Sequence, residues 1–187
     1  MIMKENERVK YAELAVKVGV NIQKGQMLVI NAPNIAKDLV YKITEVAFKE
    51  GARNVHVEWN DDEFTKVKYT YAPDEAFTEY PLWKAKGYEE MAEDGAAIMS
   101  ILAPNPQLLK DVDPARVATA QRTAGEAMAK FREYVQSDKM SWTIIAYPTK
   151  EWAEKVFPNE PESEQIEKLW DAIITATRVD DPDPVSA

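Results

Sequence analysis

Four short apolar runs punctuate the chain, at residues 27–30 (MLVI), 55–59 (VHVEW), 96–102 (AAIMSIL) and 142–147 (WTIIAY). Between the first two, Ala36, Leu39, Val40, Ile43 and Ala47 recur at i, i+3, i+4, i+7 and i+11, the spacing of one helical face. Gly51 follows, and a residue without Cβ is the cheapest way to end a helix in the left-handed conformation. Strand, fifteen-residue helix and strand make a βαβ unit, and its right-handed crossover makes the two strands parallel. The third run is apolar at nearly every position, which suits a parallel strand covered on both faces.

The remaining pattern is helical. Residues 4–18 carry Val9, Ala12 and Val16 on one stripe, ending at Gly19. After the second run, Asn60, Asp61 and Asp62 are placed to cap a helix with Phe64, Val67 and Tyr71 at i, i+3 and i+7, although Val67, Tyr69 and Tyr71 also alternate as a strand would. Pro73 and Asp74 start a short helix, and another runs over 82–93. Residues 105–111 read as a loop. Asp113 and Pro114 then open a long helix to about 136, because Asp can cap free amides and Pro fits the first helical position. Its expected inner face is Val117, Ala120, Ala124, Met128, Phe131 and Val135. Thr149 caps a short helix to Val156. The last helix, 163–178, presents Ile166, Leu169, Trp170, Ile173 and Ile174. Together these elements predict an α/β fold: a three-layer domain with a mainly parallel sheet of about four strands, in the order 2-1-3-4, between helices. The domain spans 1–178, and the acidic, proline-rich stretch 179–187 reads as a linker.

Composition narrows the function classes. At 187 residues the chain is long enough to bury a core as one domain. A net charge of −9 argues against nucleic acid and anionic membranes as partners. With zero cysteines there are no disulfides, thiolate metal ligands or thiol nucleophiles, which suits a reducing, cytoplasmic setting. No apolar run approaches the length of a membrane-spanning helix.

Candidate chemistry is sparse. The sole histidine, His56, sits inside the second strand and reads as a packed, hydrogen-bonded imidazole rather than a base or metal ligand. No G-x-S-x-G elbow and no glycine-rich phosphate loop is present. Glu58, Asp61 and Asp62 follow the second strand, and Asn31, Asn34 and Asp38 follow the first. Ligands of open α/β sheets bind at such strand exits, but capping and turn chemistry also account for these residues. Glu89, Glu90, Glu93 and Asp94 read as a solvated helix face. Trp83, Trp142, Trp152 and Trp170 read as core or interface rather than a ligand cage. The residues by themselves name no catalytic, cofactor-binding or metal-binding site.

The segments VGVNIQKGQMLVINAP, AFKEGARNVHVEW, EDGAAIMSILAPNPQLLKDVDPARV and WTIIAYPTKEWAEKVFP, the last followed by EQIEKLWDAI, stand in the order and spacing of one family. With them the chain resembles the N-terminal part of the thermophilic metallo-aminopeptidases of the aminopeptidase T and PepS type. The resemblance implies a parent of about twice this length that removes N-terminal amino acids from peptides, using two divalent metal ions, zinc or cobalt. It implies metal ligands in a C-terminal catalytic domain beyond this chain, so that no ligand falls on a residue here and the fragment alone is inactive. It also implies homodimers in which this domain makes subunit contacts and helps enclose the active-site chamber. The rival expectation is a stand-alone α/β binding or oligomerisation module. A domain made to dock on a catalytic partner would expose aromatic residues, for which Trp59, Tyr69, Tyr71, Tyr80, Trp83 and Tyr147 are the candidates.

Overall fold

The computed structural model describes residues 4–137 and 139–186. Residues 1–3 of the expected domain and Ala187 of the expected tail lie outside them. In chain order the elements are α1 (Glu5–Glu13), a π-helical turn (Leu14–Gly19), β1 (Met27–Pro33), a 3-10 turn (Asn34–Ala36), α2 (Lys37–Lys49), β2 (Asn54–Asn60), α3 (Asp62–Tyr71), a 3-10 turn (Asp74–Phe77), α4 (Leu82–Glu93), β3 (Ala97–Leu102), α5 (Pro114–Ala127), α6 (Ala129–Gln136), β4 (Trp142–Ala146), α7 (Lys150–Val156) and α8 (Glu162–Ala176). The four strands form one sheet in the order β2-β1-β3-β4, and every pairing is parallel. The three-layer α/β fold read from the apolar runs is therefore the fold observed.

Alternation along each strand divides the core in two. Leu28, Ile30 and Ala32 of β1, Ala97, Met99 and Ile101 of β3, and Ile145 of β4 join α1, α2 and α8 in the larger cluster. Val29 and Ile98 point the other way, into a smaller cluster with Tyr88 and Ala92 of α4 and with Phe131 and Val135 of α6 packed against it. The apolar stripe of α2 is buried on the first face, with Leu39, Val40, Ile43 and Ala47 all inaccessible. Gly51 ends that helix at φ 95°, and its carbonyl accepts from the Gly25 amide at 2.8 Å, so the left-handed turn locks two loops together.

Three features depart from the periodicity. The first helix does not run regularly to residue 18: its last turn widens to π geometry, with the Val20 amide bonding the Ala15 carbonyl at 3.0 Å. The extra residue lets Ala15, Val16 and Val20 all face the core. Gly19 there passes so close to β4 that a Cβ would stand 3.0 Å from the Thr143 hydroxyl oxygen. Second, the expected single helix 114–136 breaks at Met128 into α5 and α6. The halves pack on different partners: Arg116 of α5 lies over the Phe77 ring and pairs with Asp74, whereas Phe131 of α6 meets Tyr88. One straight axis cannot serve both. Third, Val179 is fully buried and Asp181 accepts from the Lys10 ammonium at 2.6 Å, so the acidic tail begins as a segment docked on α1.

Candidate functional site

Parallel strands deliver all their carboxyl ends to one edge of the domain, and a cleft of about 990 Å³ opens there between the loops. Asn34, Lys37, Asp61, Lys66, Asn105 and Thr149 are among the residues lining it. Asp61 is the N-cap of α3, as its position before the helical stripe predicts, and its Oδ1 accepts from the Phe64 amide at 2.7 Å. Its Oδ2 accepts from the Asn34 side-chain amide, tying the exit of β1 to the exit of β2. Thr149 does the same on the other side: its hydroxyl donates to the Pro104 carbonyl at 2.6 Å and accepts from the Trp152 amide at 3.1 Å. Asn34, Asp61 and Thr149 are thus committed to joining loops.

The other sequence-nominated polar residues are distributed, not assembled. Asp38 accepts from the Tyr147 hydroxyl at 3.2 Å and lies 3.7 Å from the Arg8 guanidinium. Burial pushes the Tyr147 hydroxyl up to about 12, with the Asp38 charge adding to the effect. Asn31 accepts from the Tyr88 hydroxyl at 2.5 Å on the second face. Burial, and then the nearby Glu58 charge, hold that hydroxyl well above its ordinary range. Both phenols stay neutral donors at physiological pH, which suits fixed hydrogen bonds rather than proton transfer.

His56 is not the packed imidazole expected from its β-branched neighbours. Its side chain is 47% exposed, and Nε2 lies 4.0 Å from the Glu58 carboxylate. The cause is position: β2 is an edge strand, and on its second face α4 leaves an open groove. His56 lines an open groove of about 560 Å³ with Glu58, Trp83, Lys84, Tyr88 and Met91. Glu58 is ion-paired to Lys84. Lys84 and Tyr88 sit one helical turn apart on α4, a spacing that could have marked them as facing the sheet. The acidic run on α4 is more than a solvated face: Glu89 and Glu93 both pair with Lys130 of α6 at 3.0 Å, and Asp94 pairs with Arg53.

The aromatic expectations divide. Trp170 is core, packed edge-on to Tyr11 and Tyr147, and Trp152 is half-buried. Trp83 and Trp142 are exposed and belong to no core. Of the six aromatics expected at the surface, Trp59, Tyr71 and Trp83 are exposed. Tyr69 instead stacks on Phe77 at 4.9 Å, and Tyr80 and Tyr147 are half-buried. On α3 the whole stripe Phe64, Val67 and Tyr71 faces outward, and no residue of that helix is buried.

A two-metal hydrolytic centre needs several converging imidazole and carboxylate donors. Among the described residues no group of three or more His, Asp or Glu side chains converges in that way. The one imidazole stands beside a carboxylate already paired with a lysine, Asp61 is engaged in a cap and a loop tie, and Asp38 lies between Tyr147 and Arg8. The donor set of the described residues does not fit such a centre.

Comparison with known proteins supplies the wider context. A family model described as thermophilic metalloprotease (M29) matches residues 4–187. Aminopeptidase 2 of Geobacillus stearothermophilus is 54% identical over 183 residues, covering 98% of this chain and 44% of that protein. Aminopeptidase AmpS of Bacillus subtilis is 51% identical over 177 residues, 95% of this chain and 43% of its own length. The solved structure of wild-type AmpT from Thermus thermophilus superposes with a TM-score of 0.87 at 34% identity, covering 92% of this chain and 44% of that one. The chain spans less than half the length of the relatives it matches.

Proposed function

The chain belongs to the thermophilic metalloprotease (M29) family, and from that premise we propose that it is the N-terminal, non-catalytic domain of a metal-dependent aminopeptidase. The observation that carries the reading is a pairing of two facts. The fold matches under half of a full aminopeptidase at high structural similarity, and Asn34, Asp61 and Thr149 at its own strand exits are committed to structure. Metal ions, zinc or cobalt, would polarise the scissile carbonyl and activate water in the catalytic domain. The residues described here hold none of that centre. Their work is architectural: a rigid parallel sheet, loops pinned at its carboxyl end by Asp61 and Thr149, and outward aromatic surface for contacts with the catalytic domain and with a second subunit. Enclosing the active-site chamber and admitting only peptide ends follow from such contacts.

The test compares two proteins, residues 1–187 and the polypeptide encoded through the continuing reading frame. Both are assayed on amino-acid p-nitroanilides with added zinc or cobalt. The longer protein is expected to hydrolyse them and the shorter not. His56→Ala should leave the rate of the longer protein within about twofold. Metal-dependent turnover by residues 1–187 that disappears in His56→Ala would overturn the assignment.

A further inference from the structure

The two edges of the sheet are finished differently. Along β4 the Tyr11 hydroxyl takes both the amide and the carbonyl of Ala146 at 3.0 Å, and Gly19 stands against Thr143, so α1 and the π turn close that edge. β2 ends the sheet on the other side, and among the described residues no further strand pairs with it. Outside the β1 ladder its backbone meets only the Asn54 side chain, which accepts from the Val55 amide at 3.0 Å, among the described residues. A parallel strand turns every second amide and carbonyl away from its neighbour, so the outer edge of β2 holds a row of groups ready to pair. Natural edges are blunted by lysine, proline or a covering element. Residues 54–60, NVHVEWN, contain neither lysine nor proline, and α4 leaves a groove of about 560 Å³ open beside His56 and Glu58. Trp59 on the strand is 42% exposed, and Trp83 in the groove is 77% exposed.

The residue order of β2 says what fits there. Val55 and Val57 pack on the larger cluster, so Trp59, two further along, shares the first face, whereas His56 and Glu58 share the second. An antiparallel copy of the strand, related by a twofold axis through Val57, sets His56 against Glu58, Val55 against Trp59 and Asn54 against Asn60. Moving the axis by one residue sets Glu58 against Glu58 or His56 against His56, so one register is complementary and its neighbours are not. Glu58 has an acceptor to spare for this contact. Its Oε1 takes the Lys84 ammonium, while Oε2 stands 4.0 Å from the imidazole of its own chain, beyond hydrogen-bond reach. The imidazole of a second copy can donate to that oxygen, and the axis makes the contact twice. On the other face valine against tryptophan is a favourable cross-strand pair. We infer that the free edge of β2 seats a second copy of this chain, paired antiparallel about Val57, so that the two four-stranded sheets become one. This goes beyond the aminopeptidase reading, which calls for a second subunit without saying where it binds.

Sedimentation equilibrium of residues 1–187 tests the inference, and the mass of two chains is expected at micromolar concentration. His56→Glu brings like charges together at both symmetric contacts and should weaken the dimer about tenfold or more. His56→Lys keeps an opposite charge against Glu58 and should leave the dimer at least as tight. Both fall on a half-exposed side chain, which the fold tolerates. The register has a separate readout, because the chain contains no cysteine. Only a residue on the axis meets itself. Val57→Cys should therefore form a disulfide-linked dimer on mild oxidation, since directly opposed Cα atoms stand about 4.5–5.5 Å apart, within disulfide reach. Val55→Cys, whose counterpart is Trp59, should not. A chain that stays monomeric throughout the micromolar range overturns the inference and gives the edge to another occupant. So does a dimer that His56→Glu and His56→Lys affect alike, and so does cross-linking as complete at Val55→Cys as at Val57→Cys. The p-nitroanilide assay bears on the enzyme reading alone, so the two fail separately.

Discussion

Tyr11→Phe removes one oxygen atom from the point where α1 holds the end of β4. The Tyr11 hydroxyl donates to the Ala146 carbonyl and accepts from the Ala146 amide, both at 3.0 Å, and the residue is 2% exposed. Phenylalanine keeps the ring against Trp170 but leaves a backbone donor and acceptor without their partner. A buried polar group left unpaired costs about 1–3 kcal/mol, and Ala146 is half-buried, so a net loss of about 2 kcal/mol is expected near neutral pH. For a chain of this size that lowers the melting midpoint by roughly 4–8 °C. The loss should then shrink in alkali. Burial, opposed in part by the Ala146 hydrogen bond, pushes the Tyr11 hydroxyl from 10.0 up to about 12. A raised folded value means that the unfolded chain loses its proton first. Stability from this group is therefore complete below pH 10 and drains away as pH rises towards 12, by about 2.7 kcal/mol over the two units. Half of that, roughly 1.4 kcal/mol, is gone at pH 11. Phenylalanine does not titrate, and the other raised tyrosines are present in both proteins and cancel in the difference. Urea unfolding followed by tryptophan fluorescence at pH 8 and pH 11 reads both quantities. A variant within about 0.5 kcal/mol of wild type at pH 8, or a penalty that is the same at both pH values, would refute the reasoning.

Two further perturbations probe other joints. Gly51→Ala forces a Cβ into a φ of 95° and to within 3.2 Å of the Lys24 side chain, and should cost about 1–2 kcal/mol by thermal unfolding; a neutral effect would contradict the turn geometry. Thr149→Ala deletes both the α7 cap and the bond to the Pro104 carbonyl, with an expected loss of about 1–3 kcal/mol; faster exchange confined to residues 103–105 and α7 would confirm it, and unchanged exchange there would count against it.

Much of the architecture was legible in the chain. The four apolar runs, the stripe on α2 and the turn at Gly51 depend on residues within a few positions of one another. Helical and strand periodicities record exactly such short-range order, and the handedness of crossovers turns an ordered list of strands into a sheet. Caps were readable for the same reason: Asp61 and Thr149 act on amides three residues away. The pattern could not say which way each stripe faces once the domain is assembled. Phe64, Val67 and Tyr71 recur at the spacing of one helical face yet point outward, and His56 looks packed but stands half open, because no residue of α3 is buried against a neighbour and β2 lies at the sheet edge. Burial is a property of what comes to lie alongside, and those partners are distant in sequence: Lys84 is 26 residues from Glu58, and Tyr11 is 135 from Ala146. The break at Met128 and the exposure of Ile144 on β4 have the same origin. Only the tertiary structure decides that α5 follows the turn at Phe77 while α6 follows α4, and that nothing among the described residues is left to cover Ile144.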